Sequence, residues 1–191
     1  MGGSFNPVHI GHILLADYLT QFTSLNQVWL MLSPRNPLKA NPESLIDDTQ
    51  RMEMLRIATR HTPRILPCDI ELTLPRPSYT INSLNRLNEL NPAVRFSLVI
   101  GSDNWAIFNR WRNAGEIIER FSPIVYPRPG YPIKKTSLPP QVTLVDAPVF
   151  DISSTFLRKA MEHGHDMRLF MPDGVWDYIK TNHLYTTLNN K

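Results

Sequence analysis

The chain has 191 residues, with 20 Lys and Arg against 17 Asp and Glu, a formal net charge of +3 and one cysteine, Cys68. That length buries one core, so 1–191 reads as a single domain. One cysteine excludes an internal disulfide and fits a cytoplasmic, reducing compartment. No apolar run reaches the length of a membrane span, and no charged-then-apolar leader precedes Gly2. The Lys and Arg are scattered rather than gathered in a tract, which suits small phosphorylated ligands better than nucleic acid.

Gly2, Gly3, Ser4, Phe5, Asn6 and Pro7 come first. Two glycines let backbone approach a ligand with no Cβ in the way. Ile10, Leu14, Tyr18 and Phe22, with Leu15 and Leu19 beside them, then recur at helical spacing. His9 and His12 therefore lie three apart on one face of the first turn. Free backbone N–H groups at a helix start, with two imidazoles beside them, form an anion site, most naturally for phosphate. For this pair alone, an N-terminal decoration around one core hydrogen bond is the alternative. Gly11 between the histidines suggests something flat or bulky against the backbone.

Residues 27–32 are a short apolar run and read as a buried strand. The strand ends in a proline-rich loop that carries Lys39. Ligands of open α/β sheets bind beyond the carboxyl ends of strands, so Lys39 is placed to reach a phosphate, although its position alone favours a solvated loop lysine. A helix is expected from Asp47 to about Arg60, with Arg51 near its start as a weaker phosphate candidate. Residues 64–66 and 69–72 read as a strand broken at Pro67. Ile81, Leu84, Leu87 and Leu90 then continue at helical spacing, with Ser78 or Thr80 as the N-cap. Residues 96–100 are the clearest buried strand. Gly101 follows and allows close approach by a base or ribose. Asp103 reads first as the cap of the next helix and second as an acceptor for a ribose hydroxyl. Trp111 is core filling by default. A helix over 113–121, strands over 123–126 and 142–145, and a last helix over 174–182 complete the chain.

Ile152, Ser153, Ser154, Thr155, Phe156, Leu157 and Arg158 open one more helix, closed by Gly164. Ser153 or Ser154 is a good N-cap, and Arg158 falls one turn in. This is a second helix start with hydroxyls and a guanidinium suited to phosphate oxygens. Alone it is an ordinary capped helix with a surface arginine; beside the first motif that reading loses its force.

The two stretches, G-G-S-F-N-P-V-H-I-G-H and I-S-S-T-F-L-R, resemble the nucleotidyltransferase superfamily that shares a signature with class I aminoacyl-tRNA synthetases. Within it the chain is similar to bacterial nicotinate mononucleotide adenylyltransferases, over nearly its whole length. The resemblance implies transfer of the adenylyl group of ATP to nicotinate mononucleotide, giving deamido-NAD and pyrophosphate. It implies that His9 and His12 serve the α-phosphate and the transition state, while Lys39, Arg158, Ser153 and Ser154 hold the departing phosphates. Gly3, Ser4, Phe5, Gly101, Asp103 and Ile152 fall in the ATP-binding segments. Backbone near Thr80 meets the nicotinate carboxylate and Trp111 stacks on the pyridine ring. Many relatives carry an aromatic residue or His where this chain has Arg112, and Asp where it has Asn6. Mg²⁺ is then held mainly by the ATP phosphates, with no metal-ligating residue assigned.

The chemistry agrees with that assignment. A phosphomonoester is largely dianionic at neutral pH, with a second pKa near ~6, so it attacks phosphorus without a general base. The protein has to supply position and positive charge. The rivals are an adenylyltransferase for another phosphorylated acceptor such as phosphopantetheine, and a non-catalytic nucleotide-binding module; a homo-oligomer stays open. Alternating strands and helices imply a doubly wound, Rossmann-like parallel α/β sheet of the nucleotidylyl transferase type. The strand that should precede its glycine loop is missing ahead of Gly2. The natural protein is therefore expected to begin several residues upstream with an apolar run. The structure should show a gap at the central strand or another segment closing the sheet.

Overall fold

A computed structural model describes residues 1–34 and 45–186. The strands are β1 (Gly2–Gly3), β2 (Val28–Leu32), β3 (Ile65–Cys68), β4 (Val99–Gly101), β5 (Ile124–Tyr126) and β6 (Thr143–Leu144). The helices are α1 (Ile10–Phe22), α2 (Asp48–Thr59), α3 (Thr80–Leu90), α4 (Ser102–Trp105), α5 (Ala114–Phe121), α6 (Ser154–Glu162) and α7 (Val175–Thr181). Every ladder is parallel, in the orders β1-β2-β3 and β4-β5-β6.

Strand residues alternate between two cores, as a sheet covered on both faces requires. Val99, Ile124 and Val145 join Leu19, Leu55, Leu157 and Ile179 on the side of α1, α2, α6 and α7. Ile100, Val125 and Val142 join Ile81, Leu84, Ile117 and Phe121 on the side of α3 and α5. This is the doubly wound arrangement expected from the alternation of elements.

The first strand is present, but only as Gly2–Gly3, in register with Met31 and Leu32 of β2. The first strand, expected to be missing, is thus present in shortened form. Among the described residues β4 pairs with β5 alone, and no ladder joins the two sheets. A cleft of about 530 Å³ lies between β2 and β4, lined by Trp29, Met31, Leu87, Leu98 and Val99. The missing ladder also accounts for the short β4, which begins at Val99 rather than at Phe96.

Three other expectations change. Pro67 does not break its strand: β3 runs through it, with Leu30 opposite. β3 is an edge strand, so a proline without an N–H is tolerated on its unpaired side. Where residues 69–72 are expected as strand, a 3₁₀ turn runs over Ile70–Thr73. On α1 the buried face is Ile13, Leu15, Ala16, Leu19 and Thr20. Leu14 and Phe22, expected inside, are exposed, and Phe22 stacks on Tyr18 with ring centroids 4.7 Å apart.

Candidate active site

The carboxyl ends of β1, β4 and β5 open on one crevice, at the point where the two sheets face each other. Such a switch point is where open α/β sheets bind ligands. The crevice has two lobes. One, of about 610 Å³, is lined by Gly3, Ser4, Phe5, His9, His12, Arg128, Ile152, Ser153, Ser154 and Arg158, with Asp103 at its edge. The other, of about 450 Å³, is lined by Thr80, Gly101, Asp103, Trp111 and Arg112, together with Tyr79 and Glu71. Gly3, Ser4, Asp103, Asn104 and Tyr126 border both. The expected residues are thus brought together, with one exception: Lys39 lies outside the described residues.

In the first lobe α1 starts after His9, whose extended backbone makes it the N-cap. His12 Nδ1 accepts from the His9 backbone N–H at 3.1 Å. If the ring is neutral, that bond leaves its proton on Nε2. The two imidazoles stack at 3.7 Å between centroids, and Phe5 meets His12 edge-on at 5.0 Å. The flat group expected against Gly11 is the His9 ring itself, since a Cβ on Gly11 would stand 3.2 Å from His9 Nδ1. Burial, and then the charge of Arg128, push the His9 pKa down to about 4. Burial, His9 and Arg128 hold His12 well below its ordinary value as well. Both rings are therefore neutral near pH 7, ready to donate to an anion or to take a proton once one arrives.

The second motif is bolted to the first. Ser154 Oγ donates to the Pro7 carbonyl at 2.9 Å, and Arg158 Nη1 donates to the Asn6 carbonyl at 2.7 Å. The Asn6–Pro7 peptide is cis. Tyr185 closes the same corner, its hydroxyl donating to Asn6 Oδ1 at 2.7 Å. Of the two candidate caps, Ser153 is the N-cap of α6: its Oγ accepts from the Phe156 N–H at 3.1 Å.

In the second lobe the expected caps do not cap. Tyr79 is the N-cap residue of α3, and its side chain makes no capping hydrogen bond. Thr80 is instead the first helical residue, and the Oγ of buried Ser78 faces the Glu71 carboxylate rather than capping the helix. Asp103 is not a cap either: Gly101 holds that position, and Asp103 lies in the first turn of α4. Gly101 is required because a Cβ there would stand 2.4 Å from Asp103 Oδ1 and 2.9 Å from Arg128 Cγ. What crowds this glycine is thus the protein's own side chains. Trp111 lies beside Phe108 at 5.2 Å, with its buried indole N–H unpaired. Arg112 lies over the Tyr79 ring, 4.9 Å from its centroid.

Two residues escaped sequence reasoning, Arg128 and Glu71, and one candidate is corrected, Arg51. Arg128 follows β5 and lines the phosphate-like lobe with no side-chain partner among the described residues; a lone arginine between prolines carried no signal. Glu71, 4% exposed, accepts from Ser83 Oγ at 2.9 Å, and burial raises its pKa. Arg51 proves to be no phosphate candidate: it is 0% exposed and binds backbone carbonyls instead.

Comparison with known proteins agrees with this architecture. Residues 1–160 match the model of the cytidylyltransferase-like family. The "Probable nicotinate-nucleotide adenylyltransferase" of Bacteroides thetaiotaomicron is 48% identical over 178 residues, covering 93% of this chain and 88% of that one. The protein of the same name from Flavobacterium johnsoniae is 40% identical over 185 residues, covering 96% and 95%. Among solved structures, Plasmodium falciparum nicotinic acid mononucleotide adenylyltransferase complexed with NaAD superposes with a TM-score of 0.78 at 22% identity, over 96% of this chain and 94% of that one, a likeness of fold. On the family match and these relatives, the chain belongs to the cytidylyltransferase-like family, in the company of the nicotinate-nucleotide adenylyltransferases.

Proposed function

We infer that the chain is a nicotinate-nucleotide adenylyltransferase, acting as one nucleotidyltransferase domain. The observation that carries this is the pair of contiguous lobes: one lined by imidazoles and guanidiniums, the other by an uncapped helix start and an indole. ATP occupies the first with its phosphates over the start of α1. Nicotinate mononucleotide occupies the second, its pyridine on Trp111 and its carboxylate at the free N–H groups of Thr80 and Ile81. A helix start favours a carboxylate over a neutral carboxamide.

An oxygen of the acceptor phosphate attacks the α-phosphorus of ATP. A new O–P bond forms, the bond to the β-phosphate oxygen breaks, and pyrophosphate leaves with its electron pair. His9 and His12 donate to the α-phosphate as charge builds on its oxygens. Arg158, Ser153 and Lys39 orient the departing phosphates, Arg128 adds charge to the same lobe, and Asp103 serves the ribose. Neutral imidazole and guanidinium donors suit a metal carried on the triphosphate rather than one caged by protein, and no cluster of three His, Cys, Asp or Glu stands together among the described residues. When bound, Mg²⁺ neutralises charge on the phosphates that the cradle orients.

Purified protein incubated with ATP, Mg²⁺ and a panel of phosphorylated acceptors tests the reading by pyrophosphate release. Release is expected with nicotinate mononucleotide above all others. Release with phosphopantetheine alone, or with none, overturns it.

A further inference from the structure

We propose that Arg51 is a positioning residue for the phosphate cradle, an inference that rests on the adenylyl-transfer reading above. Its guanidinium donates to three carbonyls on three segments: Ser4 at 2.6 Å in the glycine loop, Ser33 at 3.1 Å after β2, and Ile46 at 3.1 Å ahead of α2. Asp48 Oδ1 pairs with its remaining arm, and the other oxygen of Asp48 takes Arg76 at 2.7 Å. Arg51 lines neither lobe of the crevice, so it does not touch either substrate.

The geometry at Ser4 gives this anchor its consequence. The Ser4–Phe5 peptide is trans and planar, so its carbonyl and its N–H point opposite ways. Fixing the Ser4 carbonyl on the buried guanidinium turns the Phe5 N–H toward the lobe that Ser4 and Phe5 line. Phe5 itself has φ +42°, a left-handed conformation that a bulky residue holds only when its surroundings impose it. Arg51 on one side and the edge contact with His12 on the other impose it here. The cradle's oxyanion donors are thus set before ATP arrives, which is where such donors gain their effect. Lysine keeps the charge beside Asp48 but lacks the planar fork that reaches several carbonyls at once.

The test compares R51K and R51M with the unaltered chain, taking turnover per folded molecule and following each substrate's KM. Expected is a fall in kcat of about 10-fold for R51K and about 100-fold for R51M, the loss typical of one misplaced oxyanion donor. KM for nicotinate mononucleotide should stay within about twofold, because Ser4 and Ser33 only border the second lobe and Arg51 holds neither Thr80 nor Trp111. Should R51M not fold, R51K alone decides. Unchanged kcat per folded molecule in a folded variant overturns the proposal, as does a rise in acceptor KM that matches the fall in kcat. Inactivity of the unaltered chain on this acceptor would instead refute the functional reading, so the two failures are distinguishable.

Discussion

The two lobes of the crevice are built on opposite plans. The phosphate lobe joins residues 3–12 to residues 153–158, segments held together by hydrogen bonds spanning 147 and 152 positions. Its working groups are cations and imidazoles, and its backbone is pinned from behind by buried donors. The acceptor lobe takes most of its lining from the middle of the chain, residues 71–126, with the carboxyl ends of β1 and β2 beside it. It offers open donors: a helix start without a side-chain cap from Tyr79 and an indole N–H left unpaired. The first lobe is cross-braced by its own hydrogen bonds, although His9 Nδ1 stays open, while the second presents an open helix start and indole N–H. Rigidity should therefore govern turnover in the first lobe, and contact should govern affinity in the second.

Breaking the first lobe should give the largest effect. Replacing His12 or Arg158 by Ala should lower kcat by about 10²–10³, near 3 kcal/mol for a lost transition-state donor. Circular dichroism should stay unchanged, and single-turnover kinetics read the chemical step. For Arg158 the loss should be partly conformational, since it also holds the Asn6 carbonyl, so R158K should recover less than a pure charge effect predicts.

The same lobe should make stability pH-dependent. His9 binds protons less readily folded than unfolded, its pKa falling from 6.5 to about 4 through burial. The stability it contributes is fully present above pH 6.5 and is lost as pH falls from there toward 4. For His9 the loss amounts to about 3 kcal/mol, and His12, lowered in the same direction, adds to it. Urea unfolding at pH 7.5 and pH 5 should show the larger part of this fall, about 2 kcal/mol from His9, and H9Q should reduce it. A stability independent of pH over that range would mean that the pair is not buried as described.

Effects on the second lobe should be smaller and appear in KM. Trp111→Ala should raise KM for nicotinate mononucleotide about 5- to 100-fold, the range of one lost stacking partner at about 1–3 kcal/mol. Isothermal titration should find the affinity for ATP unaltered. Smallest of all should be Arg112→Gln. Arg112 is exposed and lies on Tyr79, so salt screens its field. The preference for nicotinate over nicotinamide mononucleotide should fall only about twofold and vanish at high ionic strength. A tenfold change would show that Arg112 binds the carboxylate directly.

The sequence by itself determined what depends on neighbours along the chain. Apolar periodicity fixed the helices and most strands, because secondary structure answers to local spacing. The two helix starts with His9, His12, Ser153 and Arg158 were legible because anion sites need particular residues within one turn. Tertiary structure alone decided the rest. Leu14 and Phe22 are apolar at helical spacing yet face outward, because the sheet takes the adjacent stripe of α1. Thr80 and Asp103 are good capping residues that do not cap, because capping depends on where the chain turns into the helix. Arg51 and Arg128 look alike in sequence. One is buried among carbonyls and the other opens on the phosphate lobe, because desolvation and partners are set by segments far apart in sequence that only the fold brings together.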